Sequence, residues 1–394
     1  MHSLHPITRL LGLALLSSLL GGCAAKDVAT HEPSQGYWAY FGTYTGPKSK
    51  GIYVARFDPR TGSLSEPRLA AETPSPSFLA LSPGMDFLYA VNEVDQFEGK
   101  KTGSVSSFAI DSRSGDLRPI NSKPSGGAGP CHLSAHWGGR NVLVANYAAG
   151  TVEVLPVNEN GLLGNPTTVI HHQGSGPDKQ RQETPHAHSI MLDKAQQFAL
   201  VNDLGLDRVM VYRFDPKAGK LTPNDPPSAS VAAGSGPRHL AFSPDGKFAY
   251  VNNEMALTVT TFAFDAERGV LRELQTLPTV PEGTGRAGNS TAEIRVHPSG
   301  KFVYVSNRGP DSIAIFRADP KTGMLTAAGF EPTQGKTPRS FSIAPGGRYL
   351  LAANQNSDSV VVFRIDEESG KLTPTGTTVN VPSPVCVEFA LIRR

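Results

Sequence analysis

Short apolar runs separated by turns bearing Gly and Pro occupy the chain from about residue 37 to its end. Runs such as Phe302-Val-Tyr-Val-Ser306 and Ser312-Ile-Ala-Ile-Phe316 are rich in β-branched and aromatic residues and have the length of strands. The turns recur. A motif Asp-x-x-x-Gly-x-Leu stands at 58–64, 111–117, 215–221, 265–271, 319–325 and 366–372, with a degenerate copy near 158–162, so that seven copies lie about 51 residues apart. A second element, usually opened by Pro and closed by a strand ending near Asn, covers 76–93, 130–147, 185–203, 237–254, 291–308 and 338–355. Inside it sit Ser243-Pro-Asp-Gly246, His297-Pro-Ser-Gly300 or Ala344-Pro-Gly-Gly347, where Pro presets φ and Gly accepts positive φ in a tight turn. Each unit reads as inner strand, hairpin, second strand, loop, third strand, Asp-x-x-x-Gly-x-Leu turn and outer strand. Four antiparallel strands per unit, with no long amphipathic helix between them, predict an all-β fold: a seven-bladed β-propeller.

The two ends complete the count. Pro384-Val-Cys-Val-Glu-Phe-Ala390 is an inner strand with no second strand after it, and Trp38-Ala-Tyr-Phe-Gly-Thr-Tyr44 is a second strand with no inner strand before it. Joined, they make one blade from both termini and hide two edges that would otherwise pair with other chains. The propeller is therefore expected over 37–394.

What precedes it reads as processing. Arg9 is followed by an apolar run, 10–20, that is too short to span a bilayer. It ends in Leu20-Gly21-Gly22-Cys23, which has the form of a bacterial lipobox. We expect a lipoprotein signal peptide over 1–22, a lipidated Cys23 as the mature N-terminus, and a polar tether over 23–36. Plain secretory cleavage is the alternative. Ala24 in place of Asp suits the outer membrane, so the expected location is the cell envelope, facing the periplasm. The remaining cysteines, Cys131 and Cys386, fall on blades that are not neighbours and are expected to be free, buried thiols.

Composition changes little. Lys and Arg number 37 against 35 Asp and Glu, a formal charge of +2, so nothing points to nucleic acid or an anionic membrane surface. Gly and Pro, 40 and 32 of 394 residues, fall short of the roughly 25–30% that marks low complexity. The sequence implies no oligomer.

The repeat predicts where chemistry sits. Inner strands begin, and second strands end, at one mouth of the ring. Reading the last position of the second strand gives Tyr44, Glu93, Tyr147, Asp203, Glu254, Arg308 and Gln355. Reading the third position of the inner strand gives Phe78, His132, His188, His239, Glu293, Ser340 and Cys386, with Arg238 and Arg339 one position earlier. Turns and packing do not need His, Glu and Arg there, although ion pairs between blades would use them. Glu93, Asp203, Glu254 and Glu293 offer oxygen ligands, but no closely spaced Asp-rich loop accompanies them, so neither a metal nor another cofactor is expected. His171-His172 is read as a solvated pair in a long loop. No phosphate-binding Gly-Lys-Thr loop, Ser-centred elbow or Cys-rich zinc pattern appears.

The stretches Gly174-Ser-Gly-Pro-Asp-Lys-Gln-Arg-Gln-Glu-Thr-Pro-His-Ala-His-Ser189, Gly234-Ser-Gly-Pro-Arg-His239, Tyr250-Val-Asn-Asn-Glu254, Thr291-Ala-Glu-Ile294, Ser306-Asn-Arg-Gly309 and Ala353-Asn-Gln-Asn-Ser-Asp358 together resemble the 6-phosphogluconolactonase family of propeller lactonases, which is related to fungal carboxymuconate cyclases. The resemblance spans about 37–394 and implies a catalytic set of one His, two Arg and one Glu, carried here by His188, Arg238, Glu254 and Arg308. His132, His186, His239, Glu293, Glu93 and Arg339 are expected to contact substrate. The implied reaction is hydrolysis of a sugar lactone by water attack on the ester carbonyl, with Glu254 or His188 as base and the arginines facing the developing oxyanion. An exported chain would meet few phosphorylated lactones, so an unphosphorylated aldonolactone is as consistent as 6-phosphogluconolactone. Two alternatives stay open at this point: a non-catalytic envelope binding or scaffold propeller, and a muconate-type cycloisomerase.

Overall fold

The computed structural model describes residues 36–393. The expected signal peptide, Cys23 and the tether up to residue 35 lie outside those residues. Seven antiparallel sheets carry the strands; six run from inner to outer strand in chain order, and the seventh takes its inner strand from the C-terminal end. A representative blade is Ser290–Val296, Phe302–Arg308, Ser312–Ala318 and Leu325–Pro332. The only helical turns among the described residues are two single 3-10 turns, Leu204–Leu206 and Gln355–Ser357.

Burial explains the strand composition. Second strands lie between neighbouring blades and are buried along nearly their whole length, as Phe302–Arg308 is, and so read as continuous apolar runs. Outer strands such as Lys220–Ser230 are mostly exposed and polar. The recurrent turn serves two purposes. Asp319 Oδ1 accepts from the backbone N–H groups of Lys321 (2.8 Å) and Thr322 (2.9 Å). Gly323 then sits at φ +72°, where a Cβ would lie 2.3 Å from the Phe248 ring of the preceding blade. The glycine is thus fixed both by its backbone angle and by the blade interface. Tyr304 of that sheet in turn donates to the carbonyl of Gly370 in the next turn (2.9 Å).

The ring closes as the two half-units predict. Tyr37–Thr43 pairs with Pro384–Leu391 on one side, in the register Trp38↔Ala390, and with Gly51–Asp58 on the other. Phe389 packs edge-on against Phe57 (5.4 Å) and Tyr37 (6.5 Å) across this seam. Cys131 and Cys386 are free and buried.

Candidate active site

Most inner strands carry a β-bulge near their first residues: the register skips at Arg238, between Pro237↔Asn253 and His239↔Asn252, and at His188, between Ala187↔Asp203 and Ser189↔Asn202. Bulges re-aim side chains and are common beside active sites. They also correct two of the sequence alignments. His188 belongs with Cys131, Arg238 and Arg339 in the bulged layer, while His132, His239 and Glu293 form the layer beneath it, with Ser189 as their counterpart. Asp203 aligns with Asn253 rather than with Glu254. The position held by Pro130, Pro237 and Pro338 in other blades is Ala187 here, so Pro185 comes two residues early and a repeat aligned by its prolines slips.

Asp203 is accordingly not a mouth residue. It is fully buried, accepts from the backbone N–H groups of His186 (2.8 Å) and Leu206 (3.1 Å), and pairs with His172 Nδ1 at 2.5 Å. His172 Nε2 bonds the Tyr212 hydroxyl at 2.9 Å. His172 is therefore a buried pillar between strands, not half of a solvated pair; only His171 is exposed.

The centre of the mouth is the carboxylate of Glu254. Arg181 donates to Oε1 (2.7 Å), and Arg238 and Arg308 donate to Oε2 (3.1 Å each). His188 Nε2 stands 3.6 Å from the same Oε2. The four residues implied by the resemblance therefore meet at one carboxylate. Burial pushes the Glu254 carboxyl up, but Arg308, then His188, Arg238 and Arg181, hold it well below the usual carboxylate range. Burial, with the Arg238 cation second, holds His188 well below an ordinary imidazole, so the ring is neutral. Its Nδ1 faces the Cys131 sulfur at 3.6 Å, and the thiol reaches the His188 carbonyl at 3.3 Å. Burial pushes that thiol well up, so it stays protonated.

The arginines differ in access. Arg238 is 3% exposed and fully engaged, through Nε with Glu254, through Nη1 with His239 Nε2 (3.2 Å) and with the Ala292 carbonyl. Arg308 is 15% exposed; its Nη2 also donates to the Thr291 carbonyl (3.0 Å), and its Nε has no partner. Burial brings its guanidinium down to about 10, still cationic at neutral pH. Arg181, 43% exposed, reaches the Tyr147 hydroxyl at 3.3 Å. Arg181 lies in the Gly174–Ser189 stretch, off the repeated strand-end positions that mark the other mouth residues. It arrives from the 173–186 loop, which is pinned because buried Gln182 donates to the Leu204 carbonyl and to Asp207 Oδ1 (2.8 Å each).

Across the mouth, Tyr44 donates to Glu93 Oε2 (2.9 Å), and Arg339 lies 5.3 Å from the centre of the Tyr44 ring. No described carboxylate stands within ion-pair distance of Arg339. His186 stacks on Tyr147 (4.5 Å), with Nδ1 on the Tyr147 carbonyl (2.9 Å). In the layer beneath, Phe78, His132 and His239 plug the channel, their rings 4.2–5.7 Å apart. His239 Nδ1 bonds Glu293 Oε1 at 3.1 Å. Below this plug lies a cavity of about 220 Å³ lined in part by His132, His239, Glu293 and Arg295. Those three expected substrate contacts, His132, His239 and Glu293, therefore stand behind the mouth.

A family model described as "Lactonase, 7-bladed beta-propeller" matches residues 38–389. The chain belongs to this family of propeller lactonases. It is 38% identical over 353 residues to the 6-phosphogluconolactonase of Bacillus subtilis, covering 90% of this chain and 98% of the relative. It is 35% identical over 311 residues to the 6-phosphogluconolactonase of Formosa agariphila, covering 77% and 85%. Among solved structures, the periplasmic gluconolactonase PpgL of Pseudomonas aeruginosa superposes with a TM-score of 0.85 at 37% identity, covering 91% of the lactonase described here and 99% of PpgL.

Proposed function

We propose that this lactonase hydrolyses a sugar lactone at the Glu254 cluster, with His188 as the base. The observation that carries the assignment is the saturation of Glu254. A carboxylate engaged by three guanidinium groups is a poor proton acceptor. Neutral His188 is the remaining acceptor within reach. With Nδ1–H on the Cys131 sulfur, Nε2 takes the proton of a water attacking the lactone carbonyl, and the nearby Glu254 stabilises the imidazolium. Arg308, 15% exposed, and Arg181, 43% exposed, face the developing oxyanion, while Arg238 fixes Glu254 from behind. His188 then returns the proton to the ring oxygen as the C–O bond breaks. Arg339, Glu93 and His186 bind the polyol or its anionic substituent at the opposite wall, and no metal or cofactor enters the scheme. The cluster draws Arg181 and His188, Arg238 and Glu254, and Arg308 from three successive blades, so it braces the ring as well.

The lipobox-like Leu20–Cys23 segment and the periplasmic relative support an envelope lipoprotein acting on an unphosphorylated aldonolactone. Acid release from glucono-δ-lactone and from 6-phosphogluconolactone, corrected for spontaneous hydrolysis, tests the reaction; no acceleration of either overturns it. Cys23→Ala tests the anchor: the variant should leave the membrane fraction.

A further inference from the structure

On the ring face opposite the mouth, two departures from the repeat meet. The hairpin between inner and second strands carries Pro83, Pro244, Pro298 and Pro345 in four blades and Lys194 in a fifth, but Trp137 in the blade of Pro130–Ala135. Trp137 is 61% exposed, the most exposed large apolar residue described. The turn does not need an indole there, since proline serves in its place elsewhere. In the same blade the Asp-x-x-x-Gly-x-Leu turn is degenerate, and the outer strand shrinks to Thr168–His171. A cleft of about 960 Å³ opens beside it, across three blades, lined among others by Tyr89, Trp137, Arg140, Asn158, Glu159 and Lys217.

The lining is chemically unfinished. Tyr40 and Tyr304 donate to the turn carbonyls of Gly115 and Gly370, but the Gly161 carbonyl that Tyr89 would take is held by Ser107 (2.6 Å). The Tyr89 hydroxyl has no described partner; Tyr250 is in the same state over a recess of about 170 Å³. Arg140, Lys217 and Glu159 form no ion pair with a described residue, whereas Asp86 is taken by Arg393 (2.7 Å). An exposed indole at the rim of a ligand-sized concavity, with two free cations against one free carboxylate and with a free hydroxyl, matches a flat-faced, polyhydroxylated anion better than it matches a flat protein interface.

We propose that this cleft is a second, non-catalytic binding site for an acidic saccharide, with a pyranose ring stacked on Trp137 and its carboxylates on Arg140 and Lys217. The site is separate from the Glu254 mouth and stands whatever lactone that mouth hydrolyses.

The chain holds two tryptophans, of which Trp137 lines the cleft and Trp38, with its indole N–H on the Ser112 carbonyl (2.9 Å), does not, so a ligand-induced change in intrinsic fluorescence reports on Trp137. Full-length protein is titrated with hexagalacturonate, and with maltohexaose as the neutral control, by fluorescence and calorimetry. We expect saturable binding of hexagalacturonate, weakened at least about tenfold by Trp137→Ala and by Arg140→Ala with Lys217→Ala, partly restored by Trp137→Phe, with lactone hydrolysis and melting temperature unchanged. No response up to about 1 mM overturns the proposal, as does undiminished binding by Trp137→Ala. Equal binding of maltohexaose overturns the acidic preference. Sedimentation showing a dimer that Trp137→Ala dissociates assigns the cleft to a second copy and also overturns it.

Discussion

His239 Nδ1 lies 3.1 Å from Glu293 Oε1, while its Nε2 faces Arg238 Nη1 at 3.2 Å. Arginine only donates, so Nε2 accepts and the ring proton sits on Nδ1, directed at Glu293. Glu293 thereby fixes the tautomer that supports Arg238, and through Arg238 the Glu254 carboxylate. Glu293→Gln presents an amide that can donate to Nδ1, freeing the reversed tautomer, which sets N–H against N–H at Arg238. We expect kcat/KM to fall about tenfold or more with little change in melting temperature, and the imidazole 15N shifts of His239 to report mixed tautomers. Activity within twofold of the parent, with unaltered shifts, would show that Glu293 does not position Arg238.

At the mouth, Arg308→Ala removes the proposed donor to the oxyanion and should cost about 10²–10³ in kcat. Arg308→Lys should rescue poorly, because a single ammonium cannot hold Glu254 and substrate at once. His188→Asn should cost about 10²–10⁴. The pH profile offers a separate check. A base must be deprotonated to act, and His188 is held below the usual imidazole range, so the acid limb of kcat/KM should fall well below pH 6.5. A limb centred at or above the ordinary histidine value would exclude His188 as base.

Much of this was legible in the residues because a propeller states its packing seven times. The Asp-x-x-x-Gly-x-Leu turn announces itself since Asp caps the turn and Gly323 and most of its equivalents must clear an aromatic ring next door, Gly219 clearing Thr167 instead. His188, Arg238, Glu254 and Arg308 could be placed at one mouth because strand ends repeat. Bulges and loops were not legible. Pro185 lies two residues ahead of Ala187, the register equivalent of Pro237, which shifted one blade by a layer and made Asp203 look like a neighbour of Glu254. Arg181 enters from a loop outside the repeat, and His172 is buried by a long-range pairing with Asp203 and Tyr212 that no local pattern signals.

Glu153 gives a stability test remote from the site. It is fully buried between strands, and neither carboxyl oxygen has a partner. Burial holds its carboxyl well above the ordinary range, so the folded protein keeps the proton. As pH rises past about 4.5 the unfolded chain releases its proton and the folded one does not, so this residue costs stability increasingly with pH. Glu153→Met, of similar reach and apolar, should raise the melting temperature at both pH values by relieving the unpartnered oxygens, and by more at pH 8 than at pH 4. An equal shift at both pH values would show that packing, not ionisation, governs the site.

Ring closure makes the last prediction. Tyr37–Thr43 is the sole bridge between Pro384–Leu391 and Gly51–Asp58, so without it both neighbours in that blade become open edges. A protein starting at residue 45 should aggregate or melt far below one starting at residue 36. Phe389→Ala probes the same seam without removing a strand: the ring fills the space between Phe57 and Tyr37, and its loss should cost about 3–5 kcal/mol in denaturant unfolding. The two results must agree. If the shortened chain melts like the longer one, the seam does not hold the ring. If only Phe389→Ala is destabilised, apolar packing rather than the backbone ladder closes it.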